Sequence, residues 1–242
     1  MSRSLNTTRT VSFCMALLLA APCIAAPCIA GDEVAGPGLA KALVDNFGDA
    51  KFRERQAERG AWQFKDEVAS CVSDPVLYKK YKNHGPILKW PRKFDDAKIQ
   101  FEMKAKNCQR VVFTLNGDGH IFRVTLADER PDAPAGTSKV PTRLIAWATK
   151  SSKQNKGDTI KPKGMPDLTD VNDEWVAVKL DVKGTQAVLS IGEFQAEIRH
   201  AALSREKNMI MLTFAHGEIA VRKFSFSPVS GSVSNLVPPQ KR

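Results

Sequence analysis

Along much of this chain apolar and polar residues alternate with a period of two, the signature of strands that bury one face. The alternation is nearly continuous over residues 175–226. Val176, Val178, Leu180 and Val182 interleave with Ala177, Lys179 and Asp181, and are followed by Ala187, Leu189 and Ile191. Phe194, Ala196 and Ile198 come next, then Ile210, Leu212 and Phe214. Lys183-Gly184-Thr185, Gly192-Glu193 and His216-Gly217 supply the turns. In the last strand the parity changes between Val221 and Phe224, which predicts a bulge at Arg222-Lys223. The stretch reads as an antiparallel meander against which the rest of the chain packs.

A second block of strands spans residues 98–126. Ile99, Phe101, Met103 and Ala105 alternate with charged neighbours, then Val111, Phe113 and Leu115, then Ile121, Phe122, Val124 and Leu126. Asn116-Gly117-Asp118-Gly119 is a hairpin turn, so the block reads as a three-stranded meander. Upstream, residues 43–47 and 86–90 are short strands, 62–73 form a hairpin, and the charged residues 49–60 read as a loop or a helical turn. No segment carries a sustained helical period. Five prolines (Pro131, Pro134, Pro141, Pro162 and Pro166) predict that residues 128–173 form an irregular insertion around one strand at 144–148. The pattern therefore predicts an all-β, two-sheet antiparallel sandwich over residues 43–227.

The ends differ from this core. Arg3 and Arg9 precede an apolar run over residues 11–26 and then small residues, which predicts a signal peptide, 1–30, cleaved after Ala30. The run is too short for a membrane span. A flexible leader, 31–42, and a polar tail, 228–242, flank the sandwich. The expected location is secreted or periplasmic. Two arginines and no acids leave with the signal, taking the net charge from +10 to +8. Three of the five cysteines leave too, so that Cys71 and Cys108 remain, either as a disulfide or as two buried thiols. Export removes nucleic acid from the expected partners, and nothing in the pattern sets an oligomeric state.

Three passages carry a family resemblance. They are the hairpin after Trp62, the run His84-Gly85-Pro86-Ile87-Leu88 ahead of Phe94-Asp95-Asp96-Ala97-Lys98-Ile99, and Gly119-His120-Ile121-Phe122-Arg123-Val124. With Trp175 and the strands that follow, the chain resembles secreted proteins related to the 3-keto-disaccharide hydrolase domain. It departs from them in carrying Val176 directly after Trp175, where related sequences often carry His, and in the basic insertion. The resemblance implies a concanavalin A-like jelly roll of the lectin and glucanase type and a carbohydrate as partner.

Candidate chemistry follows from residue type. His84, His120 and Arg123 are the candidate catalytic set, because an imidazole pair can move protons and a guanidinium can stabilise a developing oxyanion. In an ideal strand His120 and Arg123 face opposite ways, so a shared site requires a bulge. A pair of facing carboxylates, which most glycosidases need, has no motif here. From Lys139 to Lys163 seven basic residues accompany the single acid Asp158. Trp147, Lys150, Lys153, Lys156, Lys161 and Lys163 are accordingly candidate ligands of an anionic polysaccharide. No zinc spacing is present, and the turn at Asn116 and Asp118 admits calcium only weakly, so no cofactor is expected. Three functions fit this sequence: a glycan-binding module, a glycosidase or lyase acting on keto-disaccharides, or a structural protein of the cell envelope or matrix.

Overall fold

The computed structural model describes residues 41–130 and 140–229. The expected signal peptide, most of the expected leader and tail, and part of the insertion lie outside the described residues. In chain order the strands are β1 (Leu43–Asp45), β2 (Gln56–Glu58), β3 (Gln63–Lys65), β4 (Val68–Val72), β5 (Ile87–Phe94), β6 (Ala97–Lys106), β7 (Arg110–Gly117) and β8 (Gly119–Ala127). They continue with β9 (Arg143–Ala146), β10 (Asp158–Ile160), β11 (Val176–Lys183), β12 (Gln186–Ile191), β13 (Phe194–Arg199), β14 (Lys207–Ala215) and β15 (Glu218–Pro228). One sheet has the order β13-β12-β11-β6-β15-β4-β3, with β1 also paired to β15, and the other β10-β9-β8-β7-β14-β5-β2. Neighbouring strands pair antiparallel throughout.

The two sheets face each other across the apolar half of the alternation. Ile99, Phe101 and Met103 of β6, with Val178 and Leu180 of β11, meet Phe113 and Leu115 of β7 and Phe122 and Val124 of β8 in one core. Ring contacts join the layers: Trp90 stacks on Phe224 at 3.8 Å, and Phe101 meets Phe113 at 5.4 Å. A closely packed contact of this kind is where most of the stabilisation of a sandwich resides. The bulge expected at Arg222-Lys223 is present: the register shifts between Arg222 and Ser225, and Lys223 has φ 55°. It lets Ile219, Val221, Phe224 and Phe226 all face inward.

Several expectations need correction. The block at 98–126 is not one meander, because β6 belongs to the first sheet while β7 and β8 belong to the second. Residues 175–226 divide likewise: β11, β12 and β13 are a true meander, after which β14 crosses to the second sheet and β15 returns to the first. Alternation specifies which face of a strand is buried, not which strand lies beside it. Within the insertion β9 and β10 pair with each other and extend the second sheet, and β2 forms within the presumed loop 49–60. A short helix, α1 (Pro75–Lys80), is nucleated by Asp74, whose carboxylate accepts from the Val76 and Leu77 amides, with proline at its start.

Of the two alternatives for Cys71 and Cys108, the structure has two unbonded, buried thiols. Cys71 lies on β4 opposite Ile219, whereas Cys108 sits in the crossover to β7 and donates to the Glu218 carbonyl at 3.1 Å. Burial pushes their pKa values up to about 11 and about 12, so both stay protonated and unreactive near neutrality.

Candidate functional site

A cleft of about 690 Å³ lies on the outer face of the second sheet. Its floor is the outward half of the strand alternation, and the pairing register sets that floor in rows. One row runs Lys89, Met211, Thr114, Arg123, Ile145 across β5, β14, β7, β8 and β9. The next runs Ile87, Thr213, Val112, Thr125, Arg143. Met209, Asn116 and His120 form a third, and Arg59, His84, Gly85 and Arg110 complete the walls.

The β7–β8 hairpin places His120 and Arg123 on the same side. Asn116 pairs with His120 but Leu115 pairs with Phe122, so Ile121 is an extra residue that reverses the parity. The two side chains then meet, with Arg123 Nη2 2.8 Å from His120 Nε2. A guanidinium has no lone pair to offer, so Nε2 accepts and the ring proton sits on Nδ1, which donates to Asn116 Oδ1 at 2.7 Å. Burial, and then the Arg123 charge, pull the His120 pKa down to about 4. The imidazole is therefore neutral near pH 7, with both nitrogens engaged, and holds Arg123 in orientation.

A pH dependence of stability follows. The folded pKa of His120 lies below the ordinary 6.5, so between 6.5 and 4 the unfolded chain binds a proton that the folded chain refuses. Its contribution is complete above pH 6.5 and is lost as the pH falls to 4. Allowing for solvent screening, the wild type should lose about 1–2 kcal/mol more than His120→Gln over that range. Urea denaturation at both ends of the window measures this; equal losses in the two proteins would refute it.

His84 lines the same cleft but is exposed. Its Nδ1 lies 3.0 Å from the carbonyls of Tyr81 and of Lys82, so it donates there and its Nε2 lone pair is left for a ligand. Gly85 beside it is required by a close approach, since a Cβ at that position would stand 1.8 Å from the Phe214 carbonyl oxygen. Arg205, in the turn before β14, lies outside the cleft lining and braces its hairpin. It donates to the carbonyls of Trp147 at 2.7 Å and Asp118 at 2.8 Å, and so clamps the hairpin turn to the segment after β9.

The insertion candidates lie elsewhere. Trp147 is only 4% exposed and sits beneath the site, 5.4 Å from the His120 ring and 5.4 Å from the Arg123 guanidinium carbon. Its role there is support, with no face left for a sugar to stack on. Lys150, Lys153, Lys156, Lys161 and Lys163 are exposed and do not line the cleft; Lys150 pairs with Asp118 at 2.7 Å. The turn thus engages Asn116 with His120 and Asp118 with Lys150, and among the described residues no group of three His, Cys, Asp or Glu gathers at a common point.

Charge is what distinguishes the cleft. Arg59, Lys89, Arg110, Arg123 and Arg143 line it, and no carboxylate does among the described residues. Lys89 is neutralised by Glu58 at 2.7 Å, whereas Arg110, Arg123 and Arg143 form no ion pair among the described residues. Sequence reasoning found His84, His120 and Arg123 but missed Arg110 as a site residue and counted Arg143 only with the basic insertion. The available signal was that Arg110, Thr114, Arg123 and Thr125 all occupy outward positions of strands that prove to be neighbours.

Comparison with known proteins gives fold neighbours. No family model matches the chain, and no curated protein is similar to it in sequence. Among solved structures it is similar to the β-glucanase of Bacillus licheniformis, at TM-score 0.54 and 10% identity, covering 78% of this chain and 98% of the glucanase. The fold is a concanavalin A-like jelly roll. The same jelly roll is similar to the CBM2 module of the evolved Dit of Lactobacillus casei BL23 phage J-1, at TM-score 0.53 and 9% identity, over 78% of this chain and 96% of the module. At such identities the jelly roll is what is shared.

Proposed function

We propose that the protein is an exported glycan-binding module that holds a saccharide chain along the cleft of the second sheet. The observation that carries this reading is a groove spanning five strands, polar and apolar by turns, without a pair of facing carboxylates among the described residues. Hydrolysis by two carboxylates is disfavoured there, while binding needs only hydroxyl partners and flat apolar contacts. A β-glucanase and a CBM2 module among the structural neighbours are in keeping with a glycan ligand. Oligosaccharide binding followed by calorimetry tests it, with Val112→Trp as control: the indole would fill the floor between Thr213 and Thr125. Binding should disappear in that variant, and unaltered binding would move the site away from this cleft.

A second reading, turnover of a keto-disaccharide, has one observation in its favour: His84, His120 and Arg123 line the same cleft. In that reading His84 is the base, because Nε2 of His120 already accepts from Arg123. Turnover by the wild type that is lost in His84→Ala would establish it.

A further inference from the structure

We propose that the saccharide is an acidic one, whose carboxylate or sulfate groups are held by the guanidinium groups of Arg110, Arg123 and Arg143; this rests on the glycan-binding reading above. Three buried or partly buried arginines elsewhere in the protein are matched with acids, and Arg205 with backbone carbonyls. Arg55 pairs with Asp45, Arg92 with Glu54, and Arg222 with Glu102. The four arginines of the cleft, Arg59 on its wall included, form no ion pair among the described residues. Arg123 reaches only the neutral His120 and the Trp147 ring, Arg110 reaches the Tyr78 hydroxyl at 3.4 Å, and Arg143 makes no hydrogen bond among the described residues. The Nε groups of Arg123 and Arg143, like that of Arg92, are shielded from solvent with no acceptor among the described residues.

Gathering like charges in a half-buried groove costs stability unless an anion offsets them. The cost is visible in Arg123, whose pKa burial lowers first and the charges of Arg110 and Arg143 lower further. Guanidinium forks suit this ligand, because they offer paired N–H donors that match the oxygens of a carboxylate or sulfate. Arg123 and Arg143 stand on adjacent strands, in successive rows of the floor, so a chain lying across the strands presents successive residues to them. His120 contributes no charge near neutral pH; its part is to fix the Arg123 plane. The exposed lysines of residues 150–163 lie outside the groove and supply long-range attraction without defining the site.

The test uses three probes: an oligogalacturonate, an oligomer of dextran sulfate and a neutral dextran oligomer, each titrated at low and at physiological salt. The proteins are wild type, Arg110→Gln, Arg143→Gln and a variant with Lys153, Lys156, Lys161 and Lys163 changed to Gln. We expect one or both acidic oligomers to bind in preference to dextran and to weaken with salt. Each arginine variant should bind about tenfold more weakly. Neither side chain holds the fold together, so the melting temperature of the arginine variants should stay level or rise as repulsion is relieved. That combination, weaker binding without lost stability, is what a structural role would not produce. The lysine variant should keep near wild-type affinity. Binding to oligogalacturonate alone would assign a carboxylate, and to dextran sulfate alone a sulfate. Dextran binding as tight as that of the acidic oligomers, unchanged in Arg143→Gln, would overturn the acidic ligand and leave the glycan-binding reading standing. Acidic binding lost in the lysine variant but kept in Arg143→Gln would overturn it in favour of the loop. Absence of binding by all three oligomers would remove both readings together.

Discussion

Asp45→Ala is expected to lower the unfolding free energy by about 3–5 kcal/mol, a large part of the margin of a single domain. Asp45 and Arg55 side chains are 2% and 1% exposed, with Arg55 Nη1 2.6 Å from Asp45 Oδ1. The remaining valences of the carboxylate are met by the Trp90 indole N–H at 3.0 Å and the Phe47 amide at 3.0 Å. Arg55 in turn lies 3.9 Å over the Phe64 ring and donates to the Asp49 carbonyl. This network fastens β1 and the segment after it onto Trp90, which itself stacks on Phe224 across the core. Removing the carboxylate leaves a buried guanidinium without its counter-charge and a buried indole N–H without an acceptor, and the desolvation of each is then poorly compensated. Removing both charges is different. In Asp45→Ala/Arg55→Met the unpaired ion is gone, so the double variant should lose less than the sum of the two single variants. Urea denaturation of the four proteins measures the cycle, and a loss under about 1 kcal/mol for Asp45→Ala would contradict the account.

The same network shows what a sequence discloses. Asp45 shares a strand face with Leu43 and Phe47, where the alternation calls for an apolar residue, and only the tertiary fold reveals Arg55 and Trp90 as the partners that let a carboxylate be buried there. Period-two alternation was sufficient to locate the inward residues of β6, β7, β8, β11 and β15, because a buried face demands apolar side chains at every second position. The parity break at Arg222-Lys223 was readable for the same reason, and so was the need for a bulge if His120 and Arg123 were to meet. Sheet membership was not readable. The crossovers after β6 and β13 place sequence neighbours in different layers, and no local signal separates a tight hairpin from a short crossing. Short edge strands such as β2 and β10 carry a single apolar residue each, Ala57 and Ile160, too little alternation to be told from a loop. The cleft suffered most from this limit: Arg110, Thr114, Thr125 and Arg143 sit at outward positions, where a chain facing water would carry much the same residues. Rare residue types drew attention to His84 and His120, but it is the register of β7, β8 and β9 that assembles the cations, and register is a property of pairing.

Lys207→Met is expected to cost about 2–4 kcal/mol, and its pH dependence identifies the cause. Lys207 is fully buried, at 0% exposure. Its Nζ donates to the Asp95 carbonyl at 2.6 Å and to the Leu203 carbonyl, and lies 5.8 Å from the Phe94 ring centroid. Asp95 belongs to the turn by which the chain passes from β5 in the second sheet to β6 in the first. Leu203 lies in the single turn Ala201–Ser204, by which it passes from β13 in the first sheet to β14 in the second. One ammonium therefore ties together two of the crossovers that make the sandwich two-layered. Methionine fills similar volume but leaves the buried Leu203 carbonyl, and the part-buried Asp95 carbonyl, without this donor. Burial pulls the Lys207 pKa down to about 8, against the opposing charges of Asp96 and Asp95, while the unfolded chain keeps the ordinary 10.5. Between those values the unfolded state holds a proton that the folded state has released, so the stability of the wild type rises with pH across the window. The gap between wild type and Lys207→Met should accordingly widen from pH 8 to pH 10, read from urea midpoints at constant ionic strength. A gap that stays constant would mean that burial does not lower the Lys207 pKa, and would refute the desolvation account.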